Sequence, residues 1–227
     1  MSLQSPTLLK PAERWRLLLL TLGIAFLFTT GFLPTAQSFF FLVWNQFGGS
    51  PESPYAIHFE MLAFPLLAAL FYFSLPLDQE PIAHQSRMIL LSAPVAIAIA
   101  FASGWIRQSP SVFQTGLNAD FFWYALWVPL GEEWIFRGWL YNVIERRYPG
   151  KLLTLTNPFP ASVWATSLAF SLWHLQNLAA LPVAVVALQI VYTFFAGLWL
   201  GYARWKTGRL SLCVGLHAAL NISSLLV

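Results

Sequence analysis

The chain has 227 residues and a formal net charge of +3; 58% of its residues are hydrophobic and only 9% are charged. That composition excludes an ordinary soluble domain and fits an all-α, polytopic transmembrane helical bundle. The 11 Trp and 20 Phe suit membrane interfaces, where amphipathic rings collect. The basic residues sit in short loops between apolar spans, so the charge reads as topology, and nucleic acid is excluded as a partner. The single cysteine, Cys213, excludes an internal disulfide and a cysteine-based metal cage, and reads as a buried structural thiol.

In chain order, residues 1–16 form a short polar leader with Lys10, Arg14 and Arg16. The apolar run 17–33 resembles a signal-peptide core but is longer, with no clear small-residue cleavage site behind it, and so reads as a retained first span. Pro34 and Gln37 interrupt it, residues 38–44 suit the outer interface, and 48–54 is turn-like. The second span, 55–75, carries His58, Glu60 and Pro65. His58 and Glu60 lie two apart, on roughly opposite sides of a helix near its end, which favours a solvated or interfacial role over catalysis.

A polar loop at 77–87 leads to the third span, 88–106, with Pro94 tolerated, and then to a second polar loop at 107–120. The fourth span, 121–144, contains Glu132, Glu133 and Arg137, and is followed by Glu145, Arg146, Arg147 and a loop through Pro160. The fifth, sixth and seventh spans fall at 161–178, 182–203 and 210–227. No soluble domain and no repeat is evident. The chain divides into residues 1–120, a leader with three spans, and residues 121–227, a core of four.

Lys and Arg in short loops should fall on the cytoplasmic side. With seven spans, Lys10, Arg14 and Arg16, then Arg87, then Arg146, Arg147 and Lys151, then Arg204, Lys206 and Arg209 all fall on the amino-terminal side. Only Arg107 falls opposite, and Arg137 is intramembrane. The amino terminus is therefore predicted in the cytoplasm and the carboxyl terminus outside.

Ionisable groups within spans mark functional sites, because at bilayer depth each costs several kcal/mol. Glu133 and Arg137 are four apart and share a helical face, so they can pair. Glu132 points about 100° away and is the freer carboxylate, suited to taking and returning protons. The alternative is one buried charge network that only holds helices together. In the fifth span Phe170 stands one turn before His174, which taken alone reads equally well as a satisfied core histidine. In the seventh span His217 and Asn221 are four apart and project together, among the small residues Gly215, Ala218 and Ala219; a packing role for the amide is the alternative. Glu132 and Asn221 fall about halfway through their spans, whereas His174 lies nearer the outer end of its own, an offset of about 10 Å. Either the fifth helix begins later than Ala161, or it sits lower.

In order on separate helices, Glu132-Glu133-x-x-x-Arg137, Phe170-x-x-x-His174 and His217-x-x-x-Asn221 resemble the CAAX protease and bacteriocin-processing family of intramembrane proteases, which includes the Rce1-type prenyl endopeptidases. The resemblance covers roughly residues 121–227. Val227 follows soon after Asn221, where members such as the Rce1-type enzymes have a further helix.

The resemblance implies an endopeptidase in a bacterial plasma membrane, acting beside membrane lipid on a membrane-associated or lipidated peptide or protein. It implies Glu132 as general base, His174 holding the water, His217 and Asn221 as oxyanion donors, and Glu133, Arg137 and Phe170 as supporting residues. A metal-free reaction without cofactor is preferred, since no His-Glu-x-x-His helix is present. A zinc site of Glu132, His174 and His217 is the minor alternative. A proton-coupled transporter and a noncatalytic scaffold are the rivals from other classes; the first often shows inverted repeats, which are not evident here.

Overall fold

The computed structural model describes residues 8–27, 119–152, 159–179 and 181–225, with isolated positions between 42 and 98. The predicted second span, with His58 and Glu60, lies outside the described residues, as does nearly all of the third. The described residues form helices, with only isolated bridging contacts of Leu152 to Leu8 and Pro160.

Helix α1, Pro11–Leu27, opens on a proline, whose fixed φ and missing N–H suit a first helical position. The Lys10 N–H donates to Glu13 Oε2 at 2.8 Å, which is half of a capping box. The predicted polar leader is therefore helical from Pro11 onward. Two contacts tie the start of α1 to residues 151 and 152: Leu9 N–H to the Leu152 carbonyl at 2.9 Å, and Lys151 Nζ to Glu13 Oε1 at 2.8 Å. Leu9 and Leu17 then enter a core shared with Ile135, Phe136, Leu140, Ile144, Ala165, Ala169, Phe170 and Trp173.

The fourth predicted span is a continuous helical run, α2, with alternating pitch. Ala119–Phe122 is α-helical, Trp123–Trp127 is a wide π turn, and Val128–Glu133 is α-helical again. A second π stretch, Trp134–Leu140, precedes Tyr141–Arg147. In that stretch the Tyr141 N–H reaches back five residues to the Phe136 carbonyl. The Arg137 carbonyl accepts from Arg204 Nε at 3.2 Å. Buried backbone acceptors need such partners, and wide turns of this kind recur at functional positions. Glu145 closes the end of α2: its carboxylate accepts from Gly150 N–H at 2.7 Å and from Ser162 Oγ at 2.5 Å.

Helix α3, Ala161–Trp173, begins where predicted and passes into a 3-10 turn, His174–Ala179. Helix α4, Val183–Thr207, packs along it through Gly197 and Gly201. A Cβ on Gly197 would stand 3.1 Å from Ser167 Cα, and one on Gly201 would stand 3.0 Å from Val163 Cγ1, so the hydrogens are what let the backbones approach. The buried Thr166 and Ser167 hydroxyls satisfy themselves on their own helix, donating to the carbonyls of Ser162 at 2.8 Å and Val163 at 2.6 Å.

Among the described residues α4 is the helix long and apolar enough to cross a membrane; its 25 residues reach about 38 Å against a hydrocarbon core of about 30 Å. It runs to Thr207, beyond the predicted end at Ala203, because Arg204 finds buried partners: besides the Arg137 carbonyl, its guanidinium donates to the Gly208 carbonyl. Arg204 and Lys206 thus belong to the last turn of α4, not to a loop. Gly208, with φ +66°, ends the helix in the left-handed conformation that glycine adopts without strain. Helix α5, Leu210–Leu225, follows directly and brings His217 back against α2. Cys213 is buried, its thiol directed at the Leu200 and Arg209 carbonyls, consistent with a structural thiol.

Candidate active site

Glu132 and Glu133 close an α-helical segment of α2, immediately before the π stretch. Adjacent helical residues leave the axis about 100° apart, so the two carboxylates serve different neighbours. Glu133 Oε1 accepts from Arg137 Nη1 at 2.9 Å, with both side chains fully buried. The same oxygen lies 2.9 Å from His217 Nδ1. A carboxylate paired with a guanidinium only accepts, so Nδ1 carries the proton. The other imidazole nitrogen, Nε2, stands 3.6 Å from Glu132 Oε2. Glu132 also takes a hydrogen bond from the Trp173 side chain, an indole N–H that can only donate.

Arg137 is compensated from three sides. Besides Glu133, its Nη2 donates to the Gly197 carbonyl at 3.2 Å, and its guanidinium carbon lies 4.4 Å from the Phe170 ring centroid. A side chain at position 197 would intrude here too, since its Cβ would stand 3.2 Å from Arg137 Nη2. Among the described residues Glu133 Oε2 and Arg137 Nε have no hydrogen-bond partner.

Phe170 is the common wall. Edge-to-face contacts join its ring to His174 at 5.2 Å, to Phe136 at 5.3 Å and to His217 at 5.6 Å between centroids. His174 Nδ1 is 2.9 Å from the Phe170 carbonyl, an acceptor, so this ring also carries its proton on Nδ1. The turn that begins at His174 is held on α4 by Asn177 Nδ2, which donates to Gln189 Oε1 at 2.8 Å. Helix α3 begins at Ala161, and Phe136 contacts both Phe170 and Trp173. The later start weighed for this helix is therefore not what the structure shows.

The structure brings Glu132, Glu133, Arg137, Phe170 and His217 into direct contact, and joins His174 to them through the Phe170 ring. Asn221 lies one turn along α5, where its Nδ2 donates to the Tyr124 carbonyl at 2.8 Å. One amide hydrogen is thereby used and the other is left for further bonding.

Three residues of the site were not singled out in the sequence. Trp173 carried a signal, an indole N–H inside an apolar span beside a histidine. Gly197 carried one as well, as the first glycine of Gly197-x-x-x-Gly201. Arg204 carried none, since its position beside other basic residues is the pattern of a loop. For the minor zinc reading of Glu132, His174 and His217, no group of three His, Cys, Asp or Glu side chains that could hold a metal ion is found among the described residues. No step is routed through one.

A buried carboxylate beside one imidazole, with a second imidazole joined to it through the Phe170 ring, is an arrangement suited to hydrolysis. The family model described as type II CAAX prenyl endopeptidase Rce1-like matches residues 114–223. That segment, which holds the whole constellation, is similar to the CAAX-type membrane proteases. No curated protein and no solved structure gives a significant match to the chain.

Proposed function

We propose that this protein is a glutamic-type intramembrane endopeptidase that hydrolyses a peptide bond of a membrane-associated or lipidated peptide, without metal. The observation that carries the reading is the placement of Glu132 Oε2 3.6 Å from His217 Nε2, in a buried space walled by Phe170 and Trp173. Glu132 takes a proton from water as the hydroxide oxygen bonds to the scissile carbonyl carbon. His174 holds that water, and the proton is returned to the leaving nitrogen as the C–N bond breaks. His217 and the second amide hydrogen of Asn221 donate to the oxyanion, which forms in a site of low dielectric where such donors act strongly. Glu133 and Arg137 hold the charged framework, and Phe170 packs both imidazoles.

This reading takes residues 121–227 as the catalytic core and residues 1–120 as the leader and three further spans. It places seven spans in a bacterial plasma membrane with the amino terminus in the cytoplasm. The test is cleavage of a farnesylated carboxyl-terminal peptide by purified protein in nanodiscs. Glu132→Gln should lower kcat by about 10²–10⁴-fold, the range for loss of a general base, while the protein still inserts and folds. Cleavage left intact by Glu132→Gln, His174→Ala and His217→Ala alike would refute the mechanism. Activity lost on rigorous chelation and restored by zinc would replace the metal-free version. Comparing membrane-protein termini in wild-type and Glu132→Gln cells then identifies natural substrates.

A further inference from the structure

The oxyanion role proposed for His217 asks its Nε2 to donate a hydrogen, and the hydrogen bonds of that ring restrict when it can. Nδ1 faces Glu133 Oε1 at 2.9 Å, and that oxygen is itself held by Arg137 at 2.9 Å. The carboxylate accepts and cannot donate, so the neutral ring carries its single proton on Nδ1. Its Nε2 then presents a lone pair, and the polar group facing it is Glu132, at 3.6 Å. A further close neighbour among the described residues is the Phe170 ring, on α3, which offers no proton. A neutral His217 therefore cannot stabilise an oxyanion through Nε2.

We propose that Glu133 is a positioning residue that locks His217 in the Nδ1–H tautomer, making Glu132 and His217 Nε2 a proton-sharing couple. The assignment rests on the proteolytic reading above. Glu132 gains a proton when water attacks the carbonyl and passes it to Nε2. The resulting imidazolium donates Nε2–H to the oxyanion and forms a charge-assisted bond to Glu133 through Nδ1–H. When the tetrahedral intermediate collapses, that proton leaves for the departing nitrogen, and both residues return to their starting states. Arg137 fixes the carboxylate that fixes the ring, so the Glu-Glu-x-x-x-Arg spacing serves the histidine of another helix.

The test has a spectroscopic arm and a kinetic arm. In protein labelled with 15N-histidine, long-range proton–nitrogen correlations distinguish the two tautomers, and the His217→Gln spectrum assigns the signal among the four histidines. Wild type should show His217 protonated on Nδ1. Glu133→Gln, whose amide can donate to Nδ1, should move the ring toward the Nε2–H form. With the farnesylated peptide, Glu133→Gln should lower kcat by about 10²–10⁴-fold, as a wrong tautomer does in hydrolytic triads, with KM changed by less than about threefold. In a His217→Ala background the same substitution should cost nothing further, because its effect passes through the ring.

A wild-type His217 protonated on Nε2 and bare on Nδ1 overturns the proposal. So does a Glu133→Gln penalty that persists undiminished in the His217→Ala background, which is what loss of a structural ion pair alone would give. If wild-type protein cleaves nothing, the proteolytic reading fails, and the tautomer measurement still decides the role of Glu133.

Discussion

Replacing Arg137 by Gln tests how much of α2 depends on one buried cation. The guanidinium makes a 2.9 Å bond to Glu133, a 3.2 Å bond to the Gly197 carbonyl and a 4.4 Å contact with the Phe170 ring. Both partners of the ion pair have fully buried side chains. Exposed pairs contribute about 0–1 kcal/mol, whereas breaking a buried one costs about 3–5 kcal/mol, since it leaves an uncompensated charge. The buried figure applies here, because Glu133 Oε2 has no hydrogen-bond partner among the described residues to take over. A loss of about 3–5 kcal/mol is about 10²–10⁴-fold in the folding equilibrium. Reversible unfolding in mixed micelles, titrated with dodecyl sulfate and followed by tryptophan fluorescence, measures it. The double variant Glu133→Gln/Arg137→Gln removes both charges and should be more stable than the Arg137→Gln single. A single-variant loss below about 1 kcal/mol, or strictly additive losses, would refute the reasoning.

Gly197→Ala should destabilise by about 1–3 kcal/mol in the same titration, because its Cβ would press on Ser167 at 3.1 Å and Arg137 at 3.2 Å. Gly138→Ala, whose nearest neighbour would be Leu210 Cδ2 at an ordinary 3.5 Å, should be close to neutral, and equal effects at the two sites would contradict the packing described. Trp173→Phe keeps an aromatic ring against Phe136 but removes the donor to Glu132, so kcat should fall about tenfold or more while the unfolding midpoint moves little. The Lys151 ammonium bonded to the Glu13 carboxylate holds the latter below the usual carboxylate range. The linkage therefore stabilises above the ordinary glutamate value and is lost as pH falls through the depressed one. Thermal melts at pH 7 and pH 3 should show a larger acid-induced drop for wild type than for Glu13→Gln, and identical drops would remove this tie.

Helix starts at Ala161 and Leu210 could be read from the sequence because each follows a polar stretch that an apolar run replaces abruptly. The Glu133–Arg137 pair was legible for a related reason: a four-residue spacing is a statement about one helix, and the structure forms the pair at 2.9 Å. What spacing could not give was anything depending on two helices at once. Glu133 was assigned to Arg137 alone, yet the oxygen that binds Arg137 also accepts from His217, 84 positions along the chain. The end of α4 was misplaced for the same cause. Arg204 reads as a loop cation by local composition, whereas the structure buries it against the Arg137 carbonyl, in a π stretch of α2, and the Gly208 carbonyl. The π turns have no marker of comparable strength in the sequence.

The adjacency of Glu132 and Glu133 then acquires a physical reason. Two carboxylates side by side on a helix diverge by about 100°, too far to serve one ligand but close enough to flank one imidazole whose two nitrogens face opposite ways. His217 is placed to exploit that divergence, with Nδ1 on Glu133 and Nε2 toward Glu132. A spacing of three or four would put both acids on one face, where they would compete for the same nitrogen and repel each other. Arg137 fits the same scheme: placed four residues after Glu133, it pairs with that acid on the shared face. The charge pattern of α2 is thus dictated by the two-sided chemistry of a ring carried on α5.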